Sequence, residues 1–142
     1  MVDRGKVERK IQQIDEFLDI LEKLSTKPDN ELLKDTVMLG SVKYYLQVSI
    51  ECCIDVGNHI ISSERFRAPK DYADTFDVLF EKGIISETFV HVMKQMVKFR
   101  NRIVHLYAEV DDHYVIDILK SKLHDFQTFR KAILKYIDKT DK

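Results

Sequence analysis

Apolar side chains recur at steps of three and four residues in every long segment of this chain. That period places them on one face of an α-helix, whereas a half-buried β-strand alternates with a period of two. No segment keeps the strand period long enough to propose a sheet. The sequence therefore predicts an all-α fold, an up-down bundle of four long helices with a short extra helix.

Turn and capping residues divide the pattern into five predicted helices. Pro28 ends the first helix, because proline cannot continue the ladder of hydrogen bonds. Asp71 and Ser86 are good N-caps for the third and fourth helices, Gly83 can end the third in a left-handed conformation, and Gly57 suggests a close helix approach in the second. The predicted helices span approximately residues 3–25, 29–62, 71–83, 86–107 and 112–138.

The composition predicts a single ordered domain over residues 1–142, with four Gly, two Pro and no low-complexity segment. The net charge of −1 means that any nucleic acid would be bound by a local cluster of Lys and Arg. Cys52 and Cys53 are adjacent and poorly placed to pair, and no Cys/His pair has metal-ligand spacing. No secretory signal or membrane span is recognisable, so we expect a cytoplasmic protein without a metal, a cofactor or a membrane partner.

The segment 96–110, "MVKFRNRIVHLYAEV", places polar side chains in an apolar helical pattern. On a helical wheel Arg100 and Tyr107 lie within the apolar stripe, while Asn101 and His105 lie at its edge. A guanidinium is always charged and costs several kcal/mol to bury alone, so Arg100 should meet a carboxylate, a ligand phosphate or a water-filled cleft. The candidate carboxylates on the second helix are Glu51 and Asp55.

Arg100 and His105 are five residues apart, which turns their side chains about 140° from each other on an ideal helix. One protomer would therefore not bring the two groups to a single point without help from the long arginine side chain. The geometry favours a homodimer in which two copies of this helix line one cleft. The alternative for His105 is an exposed or structurally satisfied imidazole with no role in catalysis.

The octapeptide "RNRIVHLY", residues 100–107, resembles the R-x-x-x-x-H-x-Y motif of the HepT-like toxins in the HEPN superfamily of all-α ribonucleases. The acidic and amide-bearing pattern "SIECCIDVGNHII", residues 49–61, is similar to the preceding long helix of that family. The resemblance implies that Arg100 and His105 are the catalytic pair and that Asn101 supports the geometry of the motif. It also implies that Tyr107 accepts AMP from a partner antitoxin, a nucleotidyltransferase of the MntA kind, in a type II toxin-antitoxin system.

These side chains can cleave RNA without a metal if the 2′-hydroxyl of the substrate is the nucleophile. His105 would assist proton transfer and Arg100 would stabilise the charge of the phosphorane, so DNA should resist. Cations that could contact RNA are Lys94, Lys98 and Arg102, with Arg65 and Arg67 as further candidates, although each is also explained as part of a solvated face.

Two other interpretations remain open. The chain could be a non-catalytic HEPN module that binds nucleotide or substrate for a separate nucleotidyltransferase. It could also be a structural helical adaptor in which Arg100 forms a buried ion pair with Glu51 or Asp55.

Overall fold

The computed structural model describes residues 1–140, which form seven α-helices and one 3-10 turn and contain no β-strand. This confirms the predicted all-α fold. The helices are α1 (Arg4–Ser25), α2 (Asp29–Lys34), α3 (Thr36–Ser63), α4 (Tyr72–Glu81), α5 (Glu87–His105), α6 (Asp112–Ser121) and α7 (His124–Thr140). The 3-10 turn, Tyr107–Glu109, lies between α5 and α6.

The helical periods were predicted correctly, but two long predicted helices are each divided in two. The second is interrupted at Asp35, whose extended backbone lets its carboxylate accept a hydrogen bond from the amide of Met38 and cap α3. The last is interrupted between Ser121 and His124, where the amide of Asp125 donates to the carbonyl of Lys122. Such side-chain caps and local turns compete with helix continuation while leaving the apolar period intact.

Helix α3 lies at the centre of the molecule and packs against α1, α4 and α5. The predicted apolar face of α1 is buried along its whole length, at Val7, Ile11, Ile14, Leu18 and Leu21. Because α3 is enclosed by several helices, side chains on most of its surface are buried, including the polar Ser49. Polar residues of α3 that face α5 therefore lie at a helix interface rather than on an open surface.

Two glycines have the roles predicted from the sequence. At Gly57 a Cβ atom would lie 2.7 Å from Cγ2 of Thr75, so the absence of a side chain allows α3 and α4 to approach closely. Gly83, just after the end of α4, has a φ of +72°, a left-handed conformation that glycine adopts more readily than other residues. The amide of the next residue, Ile84, then donates to the carbonyl of Leu79 at 2.9 Å, and its side chain is buried.

The predicted N-caps of α4 and α5 are also present. Asp71 accepts a hydrogen bond from the amide of Asp74 at 2.7 Å, and Ser86 accepts one from the amide of Phe89 at 3.2 Å. These caps fix the starts of α5, which carries Arg100, and of α4, which packs against α5. Across residues 1–140, none of the helices combines the length and apolar character needed to cross a membrane.

Candidate active site

Arg100 lies in the C-terminal half of α5 and faces α3, with its side chain 15% exposed. Its Nε and Nη2 atoms lie 2.9 and 2.8 Å from Oε2 of Glu51. Its Nη1 donates to Oδ1 of Asn101 at 3.1 Å, and its Cζ lies 5.3 Å from the centre of the Tyr72 ring. The guanidinium is therefore held by a carboxylate, an amide and an aromatic ring.

Glu51 and Asp55, the two candidate partners on α3, have different roles in the structure. Glu51 binds Arg100 and also accepts a hydrogen bond from Nε2 of Gln47 at 3.2 Å. Asp55 instead lies 3.3 Å from Nζ of Lys10 on α1, so Glu51 is the one of the two candidates that pairs with Arg100. The two carboxylates are four residues apart on α3, and one pairs with α1 while the other pairs with α5.

His105 is the last residue of α5 and is exposed to solvent. In the described part of the chain its imidazole has no hydrogen bond or ion pair, whereas Arg100 is held toward α3. Both residues lie within α5, in which a spacing of five residues turns two side chains by about 140° from each other. Within one protomer the imidazole is free to meet a ligand or a second protein chain.

Tyr107 lies outside the buried stripe in which the sequence pattern placed it. Helix α5 ends at His105, Leu106 leaves the helical conformation, and Tyr107 begins the 3-10 turn with 52% of its surface exposed. The Nζ atom of Lys43 lies 4.6 Å from the centre of its ring, and a Cβ atom at Gly40 would lie 3.9 Å from its hydroxyl oxygen. Tyr107 thus rests on the N-terminal half of α3 as an exposed phenol.

The five cations considered for RNA binding differ in whether they are already paired. Lys94 lies 2.7 Å from a carboxylate oxygen of Asp77, and Arg67 binds both Asp74 and Glu81. The hydrogen bonds from the Arg67 guanidinium lower the pKa of both of these carboxyls. Arg65 is exposed with a φ of +57°.

Arg65 forms no ion pair within residues 1–140 and lies in the loop after α3. Lys98 and Arg102 are also exposed and without an ion pair there. They lie one turn apart on α5, and Arg102 is three residues before His105. They are therefore the cations most available to a phosphate near His105.

Three residues around the motif were not identified from the sequence: Gln47, Tyr72 and Lys43. The four-residue spacing of Gln47 and Glu51 on one helix could have indicated the first. No local signal indicates Tyr72 or Lys43, because each is brought to the motif by the packing of a different helix.

Apolar side chains are exposed around the motif on both α5 and α3. Val104, Leu106 and Tyr107 are 41%, 47% and 52% exposed at the end of α5 and beyond it. On α3, Val37 and Tyr44 are 81% and 55% exposed and lie one turn to either side of Gly40, against which Tyr107 rests. Clustered exposed apolar residues of this kind are characteristic of protein contact surfaces.

A family model described as ribonuclease HepT-like matches residues 7–133. This chain belongs to the ribonuclease HepT-like family. The resemblance inferred from residues 100–107 is therefore confirmed at the level of the family.

In the described chain no group of three or more His, Cys, Asp or Glu residues is arranged to hold a metal ion.

Similar proteins include two nucleases and a toxin whose structure is solved. The mRNA nuclease HepT of Shewanella oneidensis is 31% identical over 104 residues, covering 73% of this chain and 78% of that protein. The tRNA nuclease HepT of Aphanizomenon flos-aquae is 24% identical over 134 residues, covering 92% and 89%. The structure of a tri-AMPylated Shewanella oneidensis HEPN toxin in complex with an MNT antitoxin has a TM-score of 0.87 and 27% identity, covering 95% of this chain and 99% of that one.

Proposed function

We propose that this protein is a metal-independent endoribonuclease toxin that acts as a homodimer and is neutralised by a nucleotidyltransferase antitoxin. The observation that carries the proposal is the arrangement of the motif in a ribonuclease HepT-like chain. Arg100 is held in place by Glu51 and Asn101, while His105, at the end of the same helix, is exposed and unpaired in the described chain. The first group is suited to charge stabilisation and the second to proton transfer.

The proposed reaction is an internal transfer at the RNA phosphate. The 2′-hydroxyl oxygen attacks the adjacent phosphorus, and the bond from phosphorus to the 5′-oxygen of the next nucleotide breaks. His105 takes the proton from the attacking 2′-hydroxyl and then gives a proton to the leaving 5′-oxygen, and Arg100 stabilises the charge on the phosphorane. The products are a 2′,3′-cyclic phosphate and a free 5′-hydroxyl.

Arg100 has donors left for this role after its contacts within the protein. A guanidinium has five N–H donors in a fixed plane. Those of Nε and Nη2 that face Glu51, and the one of Nη1 that faces Asn101, leave further N–H groups for a phosphate oxygen. The pairing with Glu51 fixes the plane of the guanidinium before substrate binds, which reduces the entropy lost on binding.

A homodimer would bring an Arg100 and a His105 side chain together, although in one protomer they lie on different sides of α5. If a two-fold axis passes beside the end of α5, each copy can contribute an arginine and a histidine to one cleft. The exposed Val104, Leu106 and Tyr44 provide apolar surface for such a contact.

The proposed neutralisation transfers AMP to the hydroxyl of Tyr107. The phenol is exposed and only two residues from His105, so an adduct would place a charged phosphodiester and an adenosine beside the imidazole. That group would repel the RNA phosphate and obstruct the cleft. The MNT antitoxin bound to the related tri-AMPylated toxin supports a partner of this class.

RNA cleavage in EDTA tests the ribonuclease proposal directly. The wild type should cut RNA and leave DNA of the same sequence intact, whereas Arg100→Ala and His105→Ala should lose activity by roughly a hundred-fold or more. His91→Ala is the matched control, because His91 is an exposed histidine on the same helix. Intact RNA with the wild type, together with retained nucleotidyltransferase binding, would favour the non-catalytic module instead.

Mass spectrometry tests the proposed modification. The protein is incubated with the nucleotidyltransferase, ATP and Mg²⁺, and AMP additions should map to Tyr107 and be absent from Tyr107→Phe. Tyr44→Phe is the control, because it removes a phenol hydroxyl of similar exposure in one protomer, 55% against 52%, and keeps the ring that the proposed dimer contact uses. An inactive complex with unmodified Tyr107 would show that neutralisation works by occlusion alone.

A further inference from the structure

A cavity of about 300 Å³ lies beside the C-terminal half of α5, where the chain turns back into α6. It forms because α5 ends at His105 and the 3-10 turn reverses the chain before α6 begins at Asp112. The volume is at the lower end of the range for small-molecule sites and suits a group about the size of one nucleoside. The chemically distinctive lining residues are Lys98, Arg102, Glu109, Asp111 and Tyr114.

Tyr114 provides an aromatic surface in this cavity. Its ring is braced edge-on by buried Phe99, with the ring centres 5.8 Å apart and the planes at 66°. Nζ of Lys122 lies 5.6 Å from the ring centre, and 38% of the residue is exposed. Unpaired bases of single-stranded RNA stack on side chains of this type.

Lys98 and Arg102 connect the cavity to His105 along one face of α5. The three positions are spaced by four and three residues, so they follow each other along the helix surface. Neither cation forms an ion pair in the part of the chain that the structure describes. An RNA strand with one base in the cavity could therefore place its next phosphate on these cations and continue toward His105.

The two carboxylates of the cavity point to a base rather than a free anion. Glu109 and Asp111 balance the charges of Lys98 and Arg102, which makes the cavity a poor site for inorganic phosphate alone. Asp111 accepts a hydrogen bond from the amide of His113 at 2.9 Å, whereas the carboxylate of Glu109 has no partner within residues 1–140. An ionised carboxylate only accepts hydrogen bonds, so it selects a base that offers an amino group.

We propose that this cavity is a subsite for one unpaired RNA base that carries an exocyclic amino group. The base stacks on Tyr114 and donates to Glu109, while Lys98 and Arg102 hold the adjacent phosphate. Adenine, cytosine and guanine carry such an amino group, whereas uracil offers only its ring N3–H. The inference rests on the proposed ribonuclease function and adds to it a determinant of where the RNA is cut.

Binding of short 2′-O-methyl RNA oligomers tests the subsite, because these oligomers lack the free 2′-hydroxyl needed for cleavage. Fluorescence anisotropy with the full-length protein should show tighter binding of oligo(A) and oligo(C) than of oligo(U). Tyr114→Leu should weaken oligo(A) binding about ten-fold, the usual effect of losing one stacking ring, and Tyr114→Phe should recover most of the affinity. Glu109→Gln should reduce the preference for oligo(A) over oligo(U), and Glu22→Gln, at an exposed glutamate away from the cavity lining, is the matched control for the loss of one negative charge.

Equal affinities of the wild type and Tyr114→Leu for all oligomers would overturn the inference. A loss confined to binding of the nucleotidyltransferase would also overturn it, by assigning the cavity to a protein interface. If Tyr114→Leu misfolds by circular dichroism, Glu109→Gln on the exposed turn decides the question.

Cleavage of unmodified RNA separates this inference from the ribonuclease proposal. If the wild type cuts RNA and Tyr114→Leu cuts it at the same positions with the same KM, the subsite inference is wrong and the ribonuclease proposal stands. A wild type that shows the base preference in binding but cuts nothing would remove the nuclease and keep the subsite.

Discussion

Arg100 and Glu51 stabilise each other's charge at a partly buried position between α5 and α3. Their side chains are 15% and 31% exposed, and without the guanidinium Glu51 retains only the amide of Gln47 as its hydrogen-bond partner in the described chain. We predict that Arg100→Ala lowers the free energy of unfolding by about 1–3 kcal/mol, the usual cost of leaving such a polar group without its partner. Urea denaturation measures the change.

The double variant Arg100→Ala/Glu51→Gln separates stability from catalysis. Because the second substitution removes the unpaired carboxylate charge, it should restore part of the lost stability without restoring RNA cleavage. Recovery of cleavage in the double variant would mean that Arg100 serves only to neutralise Glu51, as in the structural adaptor.

At the residue scale the sequence predicted the kind of partner that Arg100 needs, but not which residue it is. The permanent charge of Arg100 in an apolar stripe predicted a carboxylate partner, but helical spacing could not distinguish Glu51 from Asp55. In the structure Asp55 pairs with Lys10 on α1, 45 residues away in the chain, and Glu51 pairs with Arg100. Tyr107 was misplaced because the heptad count was carried past the point where α5 ends.

Helices α3 and α4 depend on Gly57 for their close approach. A Cβ atom there would lie 2.7 Å from Cγ2 of Thr75 and 3.3 Å from Cδ1 of Leu79, so alanine forces the two helices apart. We predict that Gly57→Ala lowers the free energy of unfolding by roughly 1–3 kcal/mol through overpacking. Thermal and urea denaturation followed by circular dichroism would measure it.

Gly40→Ala is the matched control on the same helix. Its Cβ atom would meet nothing closer than the Tyr107 hydroxyl at 3.9 Å, an ordinary contact. Since alanine is favoured over glycine in a helix interior by up to about 1 kcal/mol, this variant should be as stable as the wild type or more stable. Equal destabilisation by both variants would contradict the packing argument.

Arg67 joins the loop before α4 to that helix, and its contribution to the stability of the folded protein should depend on pH. It binds Asp74 at 2.8 Å and also binds Glu81, and these hydrogen bonds lower the pKa of both carboxyls in the folded protein. A lowered carboxyl pKa stabilises the folded state above the unfolded pKa of about 4 and loses that effect as the pH falls further. The urea midpoints of the wild type and Arg67→Gln should therefore differ at pH 7, and the difference should decrease progressively as the pH falls below about 4.

Arg9→Gln controls for the loss of one positive charge, because Arg9 is exposed and has no ion pair in residues 1–140. The difference in urea midpoint between Arg9→Gln and the wild type should change little over the same pH range. A constant difference for Arg67→Gln would show that the two carboxylates do not contribute through their ionisation. High salt should reduce the effect of Arg67, since the pair is open to solvent.

The elements were predictable wherever one local signal was sufficient. Apolar period located the helices, and Asp71, Gly83 and Ser86 marked ends that the structure confirms. The interruptions at Asp35 and after Ser121 were missed because the apolar period continues through them. Whether the backbone continues as one helix or breaks at such a position depends on tertiary packing, and the sequence pattern does not contain that information.

At the scale of the whole molecule, one protomer provides a held arginine and an exposed histidine on different sides of α5. Sequence spacing predicts this separation, and the exposed apolar side chains of Val104, Leu106 and Tyr44 became visible only when the helices were assembled. The proposed homodimer joins these two facts, because the same surface that associates would bring together groups from two chains.

Mixing two inactive variants tests the shared cleft. Arg100→Ala and His105→Ala, each inactive alone, are unfolded together, refolded and allowed to exchange subunits. Random pairing makes about half of the dimers mixed, and each mixed dimer has one intact arginine and one intact histidine on opposite protomers. If one such pair cuts RNA, the mixture should recover roughly a quarter of the wild-type activity, since half the dimers carry one of two possible pairs. Mixing Arg100→Ala with the double variant Arg100→Ala/His105→Ala should recover none, and mixed dimers detected by differential tags without any activity would contradict a cleft completed across the two-fold axis.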